Sequence, residues 1–105
     1  MPQYIRLIDL DKVPENSNLS VKKDGMDILV CRMEKEEVYA VENQCSHALS
    51  PLEGGRMKSH YLFCPLHGVK FSLQNGCPSG KLTKKNIRTF PVKIKNGSII
   101  ISYEP

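Results

Sequence analysis

The hydrophobic and polar positions of this chain are grouped in short runs with frequent turns between them. Tyr4-Ile5-Arg6-Leu7-Ile8 is apolar, with β-branched and aromatic members. Leu19-Ser20-Val21-Lys22 alternates apolar and polar, the pattern of a half-buried strand. Asp24-Gly25 predicts a tight turn into Met26–Met33, whose centre, Ile28-Leu29-Val30-Cys31, is apolar at every position and implies burial on both faces. Lys35-Glu36 predicts the next turn, into Val38-Tyr39-Ala40-Val41. Further strand signals are Tyr61-Leu62-Phe63-Cys64, Val69-Lys70-Phe71-Ser72-Leu73 and Phe90-Pro91-Val92-Lys93-Ile94. Asn96-Gly97 marks a hairpin between Val92–Lys95 and Ser98–Ile101. One helical turn is expected over Asp9–Val13, capped by the acid and stopped by Pro14. Many short strands of this kind predict an all-β sandwich or small barrel.

Composition narrows the class. The chain has 105 residues, enough for one domain, with 40% apolar and 25% charged positions, as in a globular protein. No apolar run approaches the roughly 20 residues of a membrane span. The first residues lack the basic and apolar regions of a signal peptide, so a cytoplasmic location is expected. Four cysteines are too few for a secreted disulfide scaffold.

Charge is divided along the chain. Residues 1–55 hold six lysines and arginines against ten acids, and residues 56–105 hold nine against a single acid, Glu104. Such asymmetry points to a charged partner. The chain shows no groove-reading helix or aromatic-rich basic strand, so nucleic acid is not the expected one.

The least strand-like region, Asn43 to Gly80, holds all three histidines and three of the four cysteines. Two segments carry the chemistry: Cys45-Ser46-His47 and Cys64-Pro65-Leu66-His67-Gly68. Each offers a thiolate and an imidazole on a loop leaving a strand. Two sulfurs and two nitrogens suit zinc or an iron–sulfur centre. Zinc fingers pair like with like, whereas each segment here pairs one Cys with one His. That pattern fits a 2Fe-2S cluster with both cysteines on one iron and both histidines on the other.

On these motifs the chain resembles a Rieske-type iron–sulfur protein. Val38-Tyr39-Ala40-Val41 before the first loop, Leu52-Glu53-Gly54 after it, Phe71, Asn75-Gly76 and Phe90-Pro91-Val92 extend the resemblance over most of its length. In size it is similar to the soluble Rieske ferredoxins of bacterial ring-hydroxylating dioxygenase systems. The resemblance implies an all-β, Rieske-like antiparallel β-sandwich or barrel spanning 1–105, with a cluster-binding subdomain inserted at about 43–80. It implies Cys45 and Cys64 on the inner iron, His47 and His67 on the outer, and no catalytic residues. The implied function is one-electron transfer from a flavin-dependent reductase to a terminal non-haem iron oxygenase, as a carrier and not an enzyme.

The resemblance also separates subtypes. Respiratory Rieske proteins have a further cysteine in each loop, at positions corresponding to about Ser50 and Leu66, so their disulfide cannot form here. Those proteins also place hydroxyl donors to cluster sulfurs where Val69 and Phe71 stand. Fewer donors disfavour the reduced cluster, and the expected potential is about −150 mV, the low end of the Rieske range. Gly80–Asn86 is basic and proline-free where relatives have a proline-containing cover. Lys70, Lys81, Lys84 and Lys85 are expected to meet an acidic docking surface on a redox partner. Alternatives are a nitrite-reductase-like small Rieske subunit, a stand-alone Rieske protein with another redox role, and a structural zinc module. Cys31 reads as a small buried hydrophobe, Cys77 as a structural thiol and His60 as a solvent-facing hairpin residue.

Overall fold

A computed structural model describes residues 2–46, 50–66, 68–80 and 83–104. Among these the chain forms eleven strands in three antiparallel sheets. The first sheet joins β1 (Gln3–Asp9), β11 (Ser98–Tyr103) and β10 (Val92–Lys95), in that order. The second runs β2 (Ser17–Lys23), β3 (Met26–Arg32), β4 (Val38–Glu42) and β9 (Thr89–Phe90). The third joins β5 (Met57–Lys58), β6 (Tyr61–Phe63), β7 (Lys70–Ser72) and β8 (Pro78–Ser79).

The apolar run in β3 has a direct structural cause. Successive strand side chains point to opposite faces. Ile28 and Val30 join Leu7, Val13, Val38, Ala40, Phe90, Ile99 and Ile101 in one core. Leu29 and Cys31 join Val41, Leu52, Leu62, Phe71, Leu73 and Ile87 in another. The second sheet is therefore the middle layer, with the first sheet on one face and the third on the other. Burial on both faces, read from β3 alone, holds at all four positions from Ile28 to Cys31.

The turns follow local chemistry. Asp24 and Gly25 have φ of 49° and 77°, and Asn96 and Gly97 have 52° and 76°. Two consecutive positive φ angles are what a two-residue hairpin requires, and Asp-Gly and Asn-Gly supply them at little cost. The expected helical turn is a 3-10 turn at Leu10–Lys12, but Asp9 makes no side-chain cap to it. The Asp9 carboxylate is drawn instead to Arg6, three residues back on the same strand.

The run Phe90–Ile94 is not one strand. It divides at Pro91, with Thr89–Phe90 on β4 and Val92–Lys95 on β11. Proline has no amide to donate to a ladder, so it stands where the chain leaves one sheet for another. The Pro91 carbonyl still accepts the Ser102 amide at 3.0 Å, which fixes the crossing. β5 and β8, two residues each, have too little apolar pattern to be read from the sequence.

Cys31 has no exposed surface, and burial pushes its thiol up to about 12. It stays protonated and unreactive at neutral pH, because the thiolate is the nucleophile. Cys77 is exposed, beside β8. Cys31 and Cys77 form no disulfide. Brief maleimide treatment of the native protein is expected to modify Cys77 and spare Cys31, as read by peptide mass mapping. A Cys31 adduct formed without unfolding would contradict this account of the core.

Candidate metal centre

The two cysteine loops are built alike. The first leaves β4, and the Cys45 amide donates to the Ser50 carbonyl at 2.7 Å. The second leaves β6, and the Cys64 amide donates to the Val69 carbonyl at 2.8 Å. In each, the cysteine closes its loop by bonding a carbonyl five residues on. In the second loop the Gly68 amide also donates to the Cys64 carbonyl at 2.9 Å. Gly68 has φ of 70°, a left-handed conformation that any side chain would strain.

Both cysteines lie in the same apolar core. Cys45 is 0% and Cys64 is 2% exposed, among Leu52, Leu62, Val69 and Phe71. The fold thus brings together two thiols that are nineteen positions apart in the chain. His47 and His67, the other two expected ligands, lie outside the described residues, as do Lys81 and Leu82.

Polar side chains that the sequence pattern did not single out hold the loops in place. Asn43, 8% exposed, ends the approach to the first loop. Its Oδ1 accepts the Leu52 and Glu53 amides at 2.8 and 2.9 Å, and its Nδ2 donates to the Asp27 carboxylate at 3.3 Å. One side chain therefore ties the loop's entry, its exit and the start of β3. Asn18 on β2 makes a second clamp. Its Oδ1 accepts the Gly54 amide at 2.8 Å and its Nδ2 donates to the Gly55 carbonyl at 3.0 Å. Asparagine is too common in turns and at strand ends for either to be diagnostic in the sequence.

Ser46 links the first loop to the basic segment after β8. Its Oγ donates to the Lys85 carbonyl at 2.6 Å and lies 3.4 Å from the Thr83 hydroxyl. Further along, the Ile87 amide donates to the Gly76 carbonyl at 3.0 Å. A Cβ at Gly76 would come within 2.0 Å of the Ile87 carbonyl oxygen, so only glycine permits this approach. The described part of the proline-free segment, 83–86, is thereby tied to Ser46 by hydrogen bonds and not by ring stiffness.

Electrostatics around the second loop are positive. The Arg56 guanidinium stands 4.9 Å over the Phe63 ring, and the Lys70 ammonium 4.3 Å over Tyr61. The His60 ring packs on Tyr61 with centroids 4.4 Å apart, so it is an aromatic neighbour on this face and not simply a solvent-facing residue. Among the described residues the only ion pair is Arg6–Asp9, far along the chain from these cations.

Two cysteines buried in one apolar core suit a group that needs thiolate sulfur and some exclusion of water. A family model described as the Rieske [2Fe-2S] domain matches residues 3–91. The chain belongs to that family: it is a Rieske protein, its cofactor a 2Fe-2S cluster of the Rieske type, and it works as an electron carrier. Within the family it is 33% identical over 95 residues, 90% of each chain, to the ferredoxin component of the naphthalene 1,2-dioxygenase/salicylate 5-hydroxylase systems of a Ralstonia species. The ferredoxin of carbazole 1,9a-dioxygenase from Nocardioides aromaticivorans IC177 superimposes with a TM-score of 0.86 at 28% identity, over 94% of this chain and 96% of that one. A Mycobacterium tuberculosis chain assigned as the small subunit of an NADH-dependent nitrite reductase superimposes with a TM-score of 0.89 over 100% and 98% of the two chains, but at 15% identity, which speaks to fold alone.

Replacing Asn43 by Ala strands two amides, one of them buried. An unmade buried hydrogen bond costs about 1–3 kcal/mol, so Asn43→Ala is expected to lower unfolding stability by about 2 kcal/mol. Denaturant titration measures this. A loss under roughly 0.5 kcal/mol would show that Asn43 does not hold the loop.

Proposed function

We propose that the cluster is held by Cys45, His47, Cys64 and His67, within a cluster-binding part of the domain spanning about 43–80. The observation that carries this is the burial of Cys45 and Cys64 in one apolar core, each bonding a carbonyl five residues on, with a histidine between the two positions in the sequence. The third sheet, confined to residues 57–79, falls within those bounds. When bound, the cluster supplies one reversible electron.

The charge balance of the donor set explains its tuning. Two ferric ions, two sulfides and two thiolates sum to zero, where four thiolates would leave two negative charges. Adding an electron is accordingly easier than in a four-cysteine cluster. Val69 and Phe71, 4% and 0% exposed, present no hydroxyl to sulfur, which keeps the potential low within the Rieske range.

The chain then serves as the ferredoxin of a ring-hydroxylating oxygenase system in the cytoplasm. It takes an electron from a flavin-dependent reductase and delivers it to a terminal non-haem iron oxygenase. Support comes from the Ralstonia ferredoxin component, matched along nearly its whole length. The docking surface on the partner is acidic. On this chain it is met by Lys70, Lys84 and Lys85, with Lys81 outside the described residues, joined by Arg56 and by Leu66, which is apolar and 65% exposed. Within the chain, the described members of this group have no carboxylate partner. The nitrite-reductase alternative has only a shared fold in its favour.

Purified aerobically, the protein is expected to be brown, with two irons and two labile sulfides, and to give a rhombic paramagnetic signal on reduction. Its midpoint is expected at about −150 mV, and a value above roughly +100 mV would refute the ferredoxin subtype. His47→Cys or His67→Cys should lower the midpoint, because a thiolate adds negative charge to the cluster. A colourless protein holding zinc would overturn the whole reading.

Electron transfer to the oxygenase is expected to slow as salt rises from about 0.05 to 0.5 M, because screening weakens steering. Lys70→Gln combined with Lys84→Gln should slow it at low salt and flatten that dependence. Rates indifferent to salt would remove the acidic docking surface.

A further inference from the structure

Ser50 closes the first loop by accepting the Cys45 amide with its carbonyl. Its hydroxyl is a different matter. Among the described residues, Ser50 Oγ is the only buried side-chain oxygen or nitrogen without a hydrogen-bond partner. Buried polar atoms are paired in the great majority of cases, and an orphan costs about 1–3 kcal/mol. The other polar side chains of the loop region are accounted for. Asn43 bonds two amides and Asp27, and Ser46 bonds the Lys85 carbonyl.

The surroundings define what would satisfy this hydroxyl. The Ser50 carbonyl is bonded to the amide of Cys45, whose core includes Leu52, Leu62, Cys64, Val69 and Phe71. None of these side chains carries an oxygen or nitrogen. The acceptors that the cofactor brings to this core are anionic sulfurs, thiolate or sulfide, and they accept hydrogen bonds without donating any. A serine hydroxyl has one proton to give.

We propose that the Ser50 hydroxyl donates a hydrogen bond to a sulfur of the cluster and sets its potential. The proposal rests on the cluster-binding reading above. Reduction makes the sulfurs more negative, so a donor to them favours the reduced state. With Val69 and Phe71 silent in the second loop, Ser50 is a side-chain donor supplied from the first.

Three variants test this: Ser50→Ala, Ser50→Val and Ser50→Thr. Thr and Val are nearly the same shape and differ by the hydroxyl. For each, iron and sulfide content is measured first, and the midpoint is then read by spectroscopic redox titration. Ala and Val are expected to lower the midpoint and Thr to leave it close to the wild type. The reduced-to-oxidised ratio at fixed potential should fall by several-fold to tenfold, a tenfold change being about 59 mV for one electron. Loading of Thr, with failure of both Ala and Val to load, also supports the hydroxyl's role. Loaded Ala or Val with an unmoved midpoint overturns it, as does failure of all three variants, which would mark Ser50 as a packing residue. A wild-type protein that binds no iron or sulfide overturns the cluster reading itself.

Discussion

The middle sheet is buried on both faces, and the site depends on that constraint. Ile28, Val30, Val38 and Ala40 face the first sheet, while Leu29, Cys31 and Val41 face the third. A one-residue slip in the β3–β4 register would exchange these two sets. Cys45 leaves the end of β4 only three residues after Glu42, so its entry into the second core is set by that register. The pairing of Ile28 with Glu42 and Leu29 with Val41 is therefore as much part of the site as the cysteines are.

The second loop is placed by a separate, smaller device. β6 and β7 pair Leu62 with Phe71 and Phe63 with Lys70. Leu62 and Phe71 face inward and anchor the hairpin to the core, which leaves Tyr61 and Phe63 to carry their cations outside. One alternating strand thus fixes Cys64 in the interior and shapes the positive exterior. Cation–π contacts at exposed sites contribute only about 0.5–1 kcal/mol each, so their greater effect is on where the charges stand. The opening asymmetry of acids and bases becomes a spatial one only through this hairpin.

Much of this was legible in the chain and some was not. The long strands, both two-residue hairpin turns and the cluster motifs follow from short-range chemistry: alternation, Asp-Gly and Asn-Gly, and the spacing of Cys and His. β5 and β8 were not legible, because two residues carry no period. The crossing at Pro91 read as a continuous strand, since an apolar run says nothing of which sheet each half joins. Asp9 looked like a cap, but a nearby guanidinium competes for the same carboxylate. Asn18, Asn43 and Ser46 are common residues whose roles arise only from what lies opposite them.

By itself, then, the sequence determined the all-β class and the pairing of one Cys with one His in each of two segments, the proposed ligand set. These depend on neighbours a few residues apart. Tertiary structure alone decided that Cys45 and Cys64 share one apolar core, that Asn43 spans three segments and that the Ser50 hydroxyl is buried without a partner. Those facts come from contacts between residues distant in the chain, and the physical reason is packing. A buried polar group is defined by what the fold places, or fails to place, within reach of it.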